Sequence, residues 1–214
     1  MTTVERFGER AVVLATGESS SIEIQRRLWQ IARIARTWDG IVDAVCGDGN
    51  LTVFVEDPDR ADFHRIASQM YEAWETQRDV GFEESRLVEI PVRYGGGDGP
   101  DLVEVAAHAG LSERDVVEIH AGGVYVALFV GFLPGFAYLG GLDSRLAVAR
   151  RGVPRARIAA GAVAIGGALT AVYPFASPGG WNVIGRTEAV MFDARRSPAA
   201  AIAPGDRVRF VAIG

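Results

Sequence analysis

VYVALFVGFLPGFAYLGGL, residues 124–142, lies within a run from Ala121 to Leu142 that holds no charged residue. Those 22 residues are long enough in principle to cross a bilayer as a helix. A second uncharged run reaches from Ile158 to Gly185, and between the two stand Arg145, Arg150, Arg151, Arg155 and Arg157 against Asp143 alone. A membrane hairpin with a positive inner loop has this pattern. The residues inside the runs argue against it. The first contains Gly131, Pro134, Gly135, Gly140 and Gly141, and Pro134 would remove a backbone hydrogen bond in mid-span. The second clusters Tyr173-Pro174, Ser177-Pro178 and Gly179-Gly180 towards its end. These are turn and bulge residues between buried strands. The quoted stretch therefore reads as core strands joined by a shaped Gly-Pro connection, not as a membrane span.

Working outward, the Gly-rich, Pro-punctuated apolar runs from about residue 121 onward predict short strands separated by turns, as in a barrel or sandwich. Pro204-Gly205-Asp206 and then RVRFVAI predict a turn and a closing strand. Towards the N-terminus, AVVLA (11–15) predicts a buried strand, and Ser19 to Ser21 offer helix caps. Ile24, Leu28, Ile31 and Ala35 then share one helical face. IVDAVC (41–46), Gly47-Asp48-Gly49-Asn50 and LTVFV (51–55) predict a hairpin. A second helix carries Phe63, Ile66, Met70 and Trp74 on one face, and LVEIPV (87–92) follows as a strand. The order strand, helix, strand, strand, helix, strand is the ferredoxin-like pattern. Beyond GGGDGP (95–100), two short helices are expected, the second with a capping box at Ser112 and Asp115.

Charge divides unevenly. Residues 1–85 hold 9 Arg against 16 acidic residues, and residues 86–214 hold 13 against 11. All 22 cations are Arg, which excludes a Lys Schiff base and a P-loop lysine. The single cysteine, Cys46, forms no internal disulfide and fits a reducing compartment. The charged start MTTVERFGER does not resemble a signal peptide, so a cytoplasmic location is expected.

Several motifs weaken on inspection. DLVEVAAHAGLSERDVVEIH has the outline of a helix-turn-helix, but its five acidic residues against Arg114 would repel phosphates, so no nucleic acid is expected. Gly161 and Gly166 have P-loop spacing without the lysine, and Ser177 lacks the first glycine of a nucleophile elbow and reads as a turn serine. His64, His108 and His120 have no partner at ligand spacing, so no metal site is expected. His120 immediately precedes the uncharged run, which gives it a functional claim beside a structural one. The Arg group at 145–157 reads either as a bidentate anion site or as a solvated loop.

GFLPGFAYLGGLD (131–143), Pro154-Arg155 with Arg157, and YPFASPGGWNVIGRT (173–187) together resemble the 5-oxoprolinase B-subunit family, which also goes under the names allophanate hydrolase subunit 1 and sporulation kinase inhibitor KipI. The resemblance covers essentially the whole chain and is densest over 120–213. It implies an α+β protein: a ferredoxin-like α/β domain over 1–85, followed by a cyclophilin-like β-barrel over 86–214. It also implies a heteromer with a C subunit (allophanate hydrolase subunit 2) and with an A subunit, cleaving 5-oxoproline to glutamate with ATP as co-substrate. The alternative function is a regulatory module that inhibits a sensor histidine kinase. The sequence departs from the family pattern at Leu169, where Gln is usual, at Ala159 and Ala162, where Pro and Ser are usual, and at Val148-Ala149, where Thr-Pro is usual.

Opening an unstrained lactam needs an activated carbonyl and a water nucleophile, and 5-oxoproline needs a cation for its carboxylate. Arg150, Arg155 and Arg157 are the expected anion binders. Phe136, Tyr138 and Trp181 are expected to wall a small planar ring, with Gly131, Pro134 and Gly135 as a turn at the cleft's border and His120 as a further candidate. No residue of the chain is a convincing general base, so the catalytic acid or base is expected from a partner.

Overall fold

The computed structural model describes residues 1–18, 21–77 and 86–213. The chain divides into two compact units, Met1–Glu84 and Ser85–Gly214. The boundary expected after Ser85, and the Ser19 and Ser20 caps, lie outside the described residues.

The first unit contains β1 (Thr3–Phe7), β2 (Ala11–Ala15), α1 (Ile22–Ala35), β3 (Ile41–Gly47), β4 (Asn50–Val55) and α2 (Phe63–Thr76). Its antiparallel sheet runs β1-β2-β4-β3. Ser21 caps α1 by accepting from the Ile24 N–H, and Asp62 caps α2 through the Arg65 N–H. Val12, Leu14, Leu51 and Val53 from one face of the sheet bury against Leu28, Ile31, Ile66 and Met70 from the two helices.

Here the ferredoxin-like reading needs correcting. LVEIPV does not return to this sheet. The edge place beside β2 is filled instead by β1, which the sequence did not announce because TVERF is nearly all exposed and lacks an alternating pattern.

The second unit contains β5 (Leu87–Tyr94), α3 (Leu102–Ala109), α4 (Glu113–Gly122), β6 (Tyr125–Val130), β7 (Ala137–Gly140), β8 (Arg155–Ile158), β9 (Ala162–Gly166), β10 (Leu169–Val172), β11 (Ser177–Gly179), β12 (Asn182–Arg186) and β13 (Arg207–Ala212). Seven strands close a barrel in the order β10-β7-β6-β13-β5-β12-β9, and β8 and β11 form a separate ribbon. The uncharged stretch 124–142 supplies β6 and β7 and the connection between them. The capping box at Ser112 and Asp115 is present on α4.

The wall of this barrel is apolar on both sides. From β9, Val163 and Ile165 join the main core while Ala162 and Ala164 join a second cluster; from β12, Ile184 and Val183 divide in the same way. Alternation along a strand sends neighbours to opposite faces, so a strand that is apolar throughout must be covered twice. On the second side the cover comes from Phe136, Tyr173, Trp181 and Ile158.

Candidate functional site

The connection after β6 is a tight turn. The Gly131 N–H donates to the Phe136 carbonyl at 3.1 Å, and the Phe136 N–H donates to the Leu133 carbonyl at 3.0 Å. Gly135 has φ +80°, and a Cβ there would come within 2.9 Å of the Met191 carbonyl oxygen, so only glycine fits. Phe132 has φ +65°, a left-handed conformation costly for a residue with a side chain, and is 58% exposed.

This turn delivers Phe136 into an aromatic layer on the second side of the barrel wall. Phe136 meets Tyr138, Tyr173 and Trp181 edge-on, with ring centroids 4.9, 5.2 and 5.7 Å away. Tyr138 stacks on Phe129 at 4.5 Å, and Phe132 leans edge-on against both Phe136 and Tyr173. Trp181 lies flat on β9 because Gly166 leaves room for it: a Cβ at that position would sit 2.5 Å from the indole. The Arg150 guanidinium is 5.8 Å from the Trp181 ring centroid and exposed, and Leu169 packs against the layer.

The arginines separate into two groups. Asp101, 2% exposed, accepts from Arg155 at 2.7 and 2.6 Å, from Arg151 at 3.0 Å and from the Val183 N–H at 2.7 Å. These hydrogen bonds raise Arg155 above the ordinary guanidinium value. Arg151 also donates to Glu104 at 2.8 Å. Arg155, read from the sequence as an anion binder, thus has its two terminal nitrogens on a carboxylate of its own chain and ties the 151–155 segment to α3. Arg145 pairs with Asp143. Arg150 and Arg157 are exposed and have no ion-pair partner among the described residues.

His120 is placed away from all of this, inside the barrel and fully buried. Its Nδ1 is 2.8 Å from the Tyr94 hydroxyl and its Nε2 is 2.9 Å from Thr170 Oγ1. Thr170 donates its one hydroxyl proton to the Ala164 carbonyl at 3.1 Å. It must therefore accept from Nε2–H, which leaves Nδ1 to accept from Tyr94. Burial pushes the imidazole down to about 3, so it is neutral at physiological pH. Burial also pushes the Cys46 thiol up to about 12, and no thiolate nucleophile forms there near neutrality. No group of three or more His, Cys, Asp or Glu is arranged to hold a metal ion among the described residues.

Sequence reasoning missed Asp101, which stands 82 positions from its Val183 partner with no local pattern to mark it. It also missed Phe129, Phe132 and Tyr173, although their interleaving with glycine and proline in the two uncharged runs was a visible signal.

The family model "Carboxyltransferase domain, subdomain C and D" matches residues 2–202. The chain is 44% identical to the 5-oxoprolinase B subunit of Escherichia coli O157:H7 over 96% of its own length and 93% of that protein's. It is 39% identical to the protein of the same name from Haemophilus influenzae over 97% and 96%. Among solved structures, TTHA0988 superposes with a TM-score of 0.81 at 37% identity over 96% of this chain. This chain spans only 40% of that one. The urea carboxylase of Kluyveromyces lactis, 19% identical, shares the fold with a TM-score of 0.77 over 100% of this chain and 22% of its own. The chain belongs to the carboxyltransferase subdomain C and D family and, within it, to the 5-oxoprolinase B subunits.

Proposed function

We propose that the chain is the B subunit of an ATP-dependent 5-oxoprolinase complex that opens the lactam of 5-oxoproline to glutamate, or acts on a closely related small amide such as allophanate. The observation that carries this is the 44% identity, nearly end to end, with a protein named as a 5-oxoprolinase B subunit. The aromatic layer supports it: flat rings at Phe136, Tyr138 and Trp181 suit a small planar amide, and Arg150, over the Trp181 ring, suits its carboxylate. Arg157 is the second cation open to an anion, while Arg155 holds the segment in place through Asp101. Leu169 beside this layer, where the family resemblance leads one to expect Gln, makes the site less polar.

The chain's titratable groups leave the proton transfers to a partner. His120 is sealed in the barrel and Cys46 is protonated. ATP activates the lactam carbonyl and water then attacks, with the acid or base supplied by the C or the A subunit. The protein works in the cytoplasm, where ATP is available, and no described helix is long and apolar enough to cross a membrane. Exposed Val153 and Phe175 suit burial against the C subunit, in an interface above roughly 1,000 Å². The occurrence of this fold as a part of the longer TTHA0988 chain is consistent with a standing neighbour. Inhibition of a histidine kinase finds no support in the names of the curated relatives.

The test is reconstitution with the A and C subunits. Phosphate release that requires 5-oxoproline and yields glutamate is the expected result. A complex that assembles and hydrolyses ATP equally with and without 5-oxoproline, allophanate or hydantoin would overturn the reading.

A further inference from the structure

From the sequence Ser177 reads as a turn serine, and its position in the structure is more specific than that. It sits at the start of β11, opposite Ile158 of β8. Residues directly opposite each other in an antiparallel pair point to the same face. Ile158 belongs to the aromatic cluster. At Gly179, two residues on, a Cβ would meet the Tyr173 hydroxyl oxygen at 2.5 Å and Ile158 Cδ1 at 2.8 Å, so that face of the ribbon is turned into the layer. Pro178 between them is exposed. Ser177 is 9% exposed, and its Oγ is buried with no hydrogen-bond partner among the described residues. A hydroxyl so placed costs free energy that an alanine would not.

Phe132 is the only non-glycine residue with positive φ among the described residues, and its half-exposed ring leans on Phe136 and Tyr173. Backbone strain of this kind clusters at active sites, ligand clamps and switch regions. The layer thus holds a buried hydroxyl without a partner among the described residues and, leaning on it, a half-exposed ring on left-handed backbone.

We propose that Ser177 is a ligand-binding residue: its hydroxyl hydrogen-bonds the amide group of a small, flat, neutral-headed ligand that enters the aromatic layer when the Phe132 ring moves aside. Rings at Phe136, Tyr173 and Trp181 supply the flat apolar walls, among which an amide or lactam head costs less to bury than an ionised one. An anionic tail on the same molecule would reach Arg150 at the layer's edge. This deepens the lactam reading above and rests on it for the identity of the natural ligand.

The probes are 2-pyrrolidinone, which has the lactam alone, and 5-oxoproline, which adds the carboxylate. Both are titrated into the full chain, wild type and Ser177→Ala, with binding followed by NMR chemical-shift change. Thermal denaturation of each variant is run beside it. Ser177→Ala is expected to weaken both probes about tenfold while leaving the melting temperature unchanged or raised. Ser177→Thr, which keeps the hydroxyl, recovers part of the affinity. A purely structural serine would give the opposite pattern, with unchanged affinity and a lower melting temperature, and that result overturns the proposal. So does failure of both probes to bind the wild type. Turnover of 5-oxoproline by the reconstituted complex is read separately. Lost turnover with Ser177-dependent probe binding defeats the oxoprolinase reading alone, and turnover indifferent to Ser177→Ala defeats the serine alone.

Discussion

Inside the barrel, His120 has both ring nitrogens bonded, its backbone carbonyl accepts from the Tyr125 hydroxyl at 2.7 Å, and its ring stacks on Phe210 at 4.6 Å. On the other side of the same wall, Ser177 is almost as deeply buried and has no partner among the described residues. The two sites show what burial of a polar group can signify. A completely bonded group such as His120 fixes the packing around it and is unavailable for chemistry. A group left open in an aromatic layer weakens the fold slightly and is kept for something that is not part of it.

Variants of fully bonded groups should lower stability, and variants around the aromatic layer should lower binding. The largest effect is expected at Asp101, whose carboxylate serves two guanidiniums and a backbone N–H. Asp101→Ala should cost about 3 kcal/mol in urea denaturation, and a cost below about 1 kcal/mol would show the clamp to be ornamental. Next is Thr170→Val, which removes the acceptor from a buried imidazole N–H and should cost about 2 kcal/mol. Wild-type stability after that substitution would mean that the His120 network contributes nothing.

A smaller, graded effect should appear with pH. His120 titrates near 3 when folded and near 6.5 when unfolded. The unfolded chain therefore binds more protons between those values. Its contribution is complete above about pH 6.5 and is lost on acidification at about 1.4 kcal/mol per pH unit. Denaturation midpoints taken from pH 7 to pH 5 should show that slope. A His120→Gln variant with the same slope would assign it to other groups. The smallest change in stability, within about 0.5 kcal/mol, is expected for Arg157→Ala. In the reconstituted complex, however, that substitution should weaken 5-oxoproline about tenfold. Equal affinity would return Arg157 to a solvated role.

Much of the local structure was legible because local chemistry dictates it. The hairpin around Gly47-Asp48-Gly49-Asn50, the Ser112–Asp115 capping box and the amphipathic faces of α1 and α2 all depend on residues close together in sequence. The destination of β5 was not legible. LVEIPV fits a strand in either unit, and only partners at 182–186 and 207–212 decide which. The Arg group shows the same limit. Its richness in guanidinium is plain from the sequence, but whether a given arginine is spent or open depends on Asp101, about fifty positions upstream.

The barrel closes only when β13 lies parallel to β5, with Leu87 beside Arg207 and Val92 beside Ala212. A ribosome makes the first of these strands roughly 120 residues before the second, so β5 must wait, its edge unpaired, while everything between them emerges. No two-strand nucleus near the start of the unit can seal the barrel early, and such long-range closure is slow. Slow refolding of this unit is therefore the expected consequence of its topology.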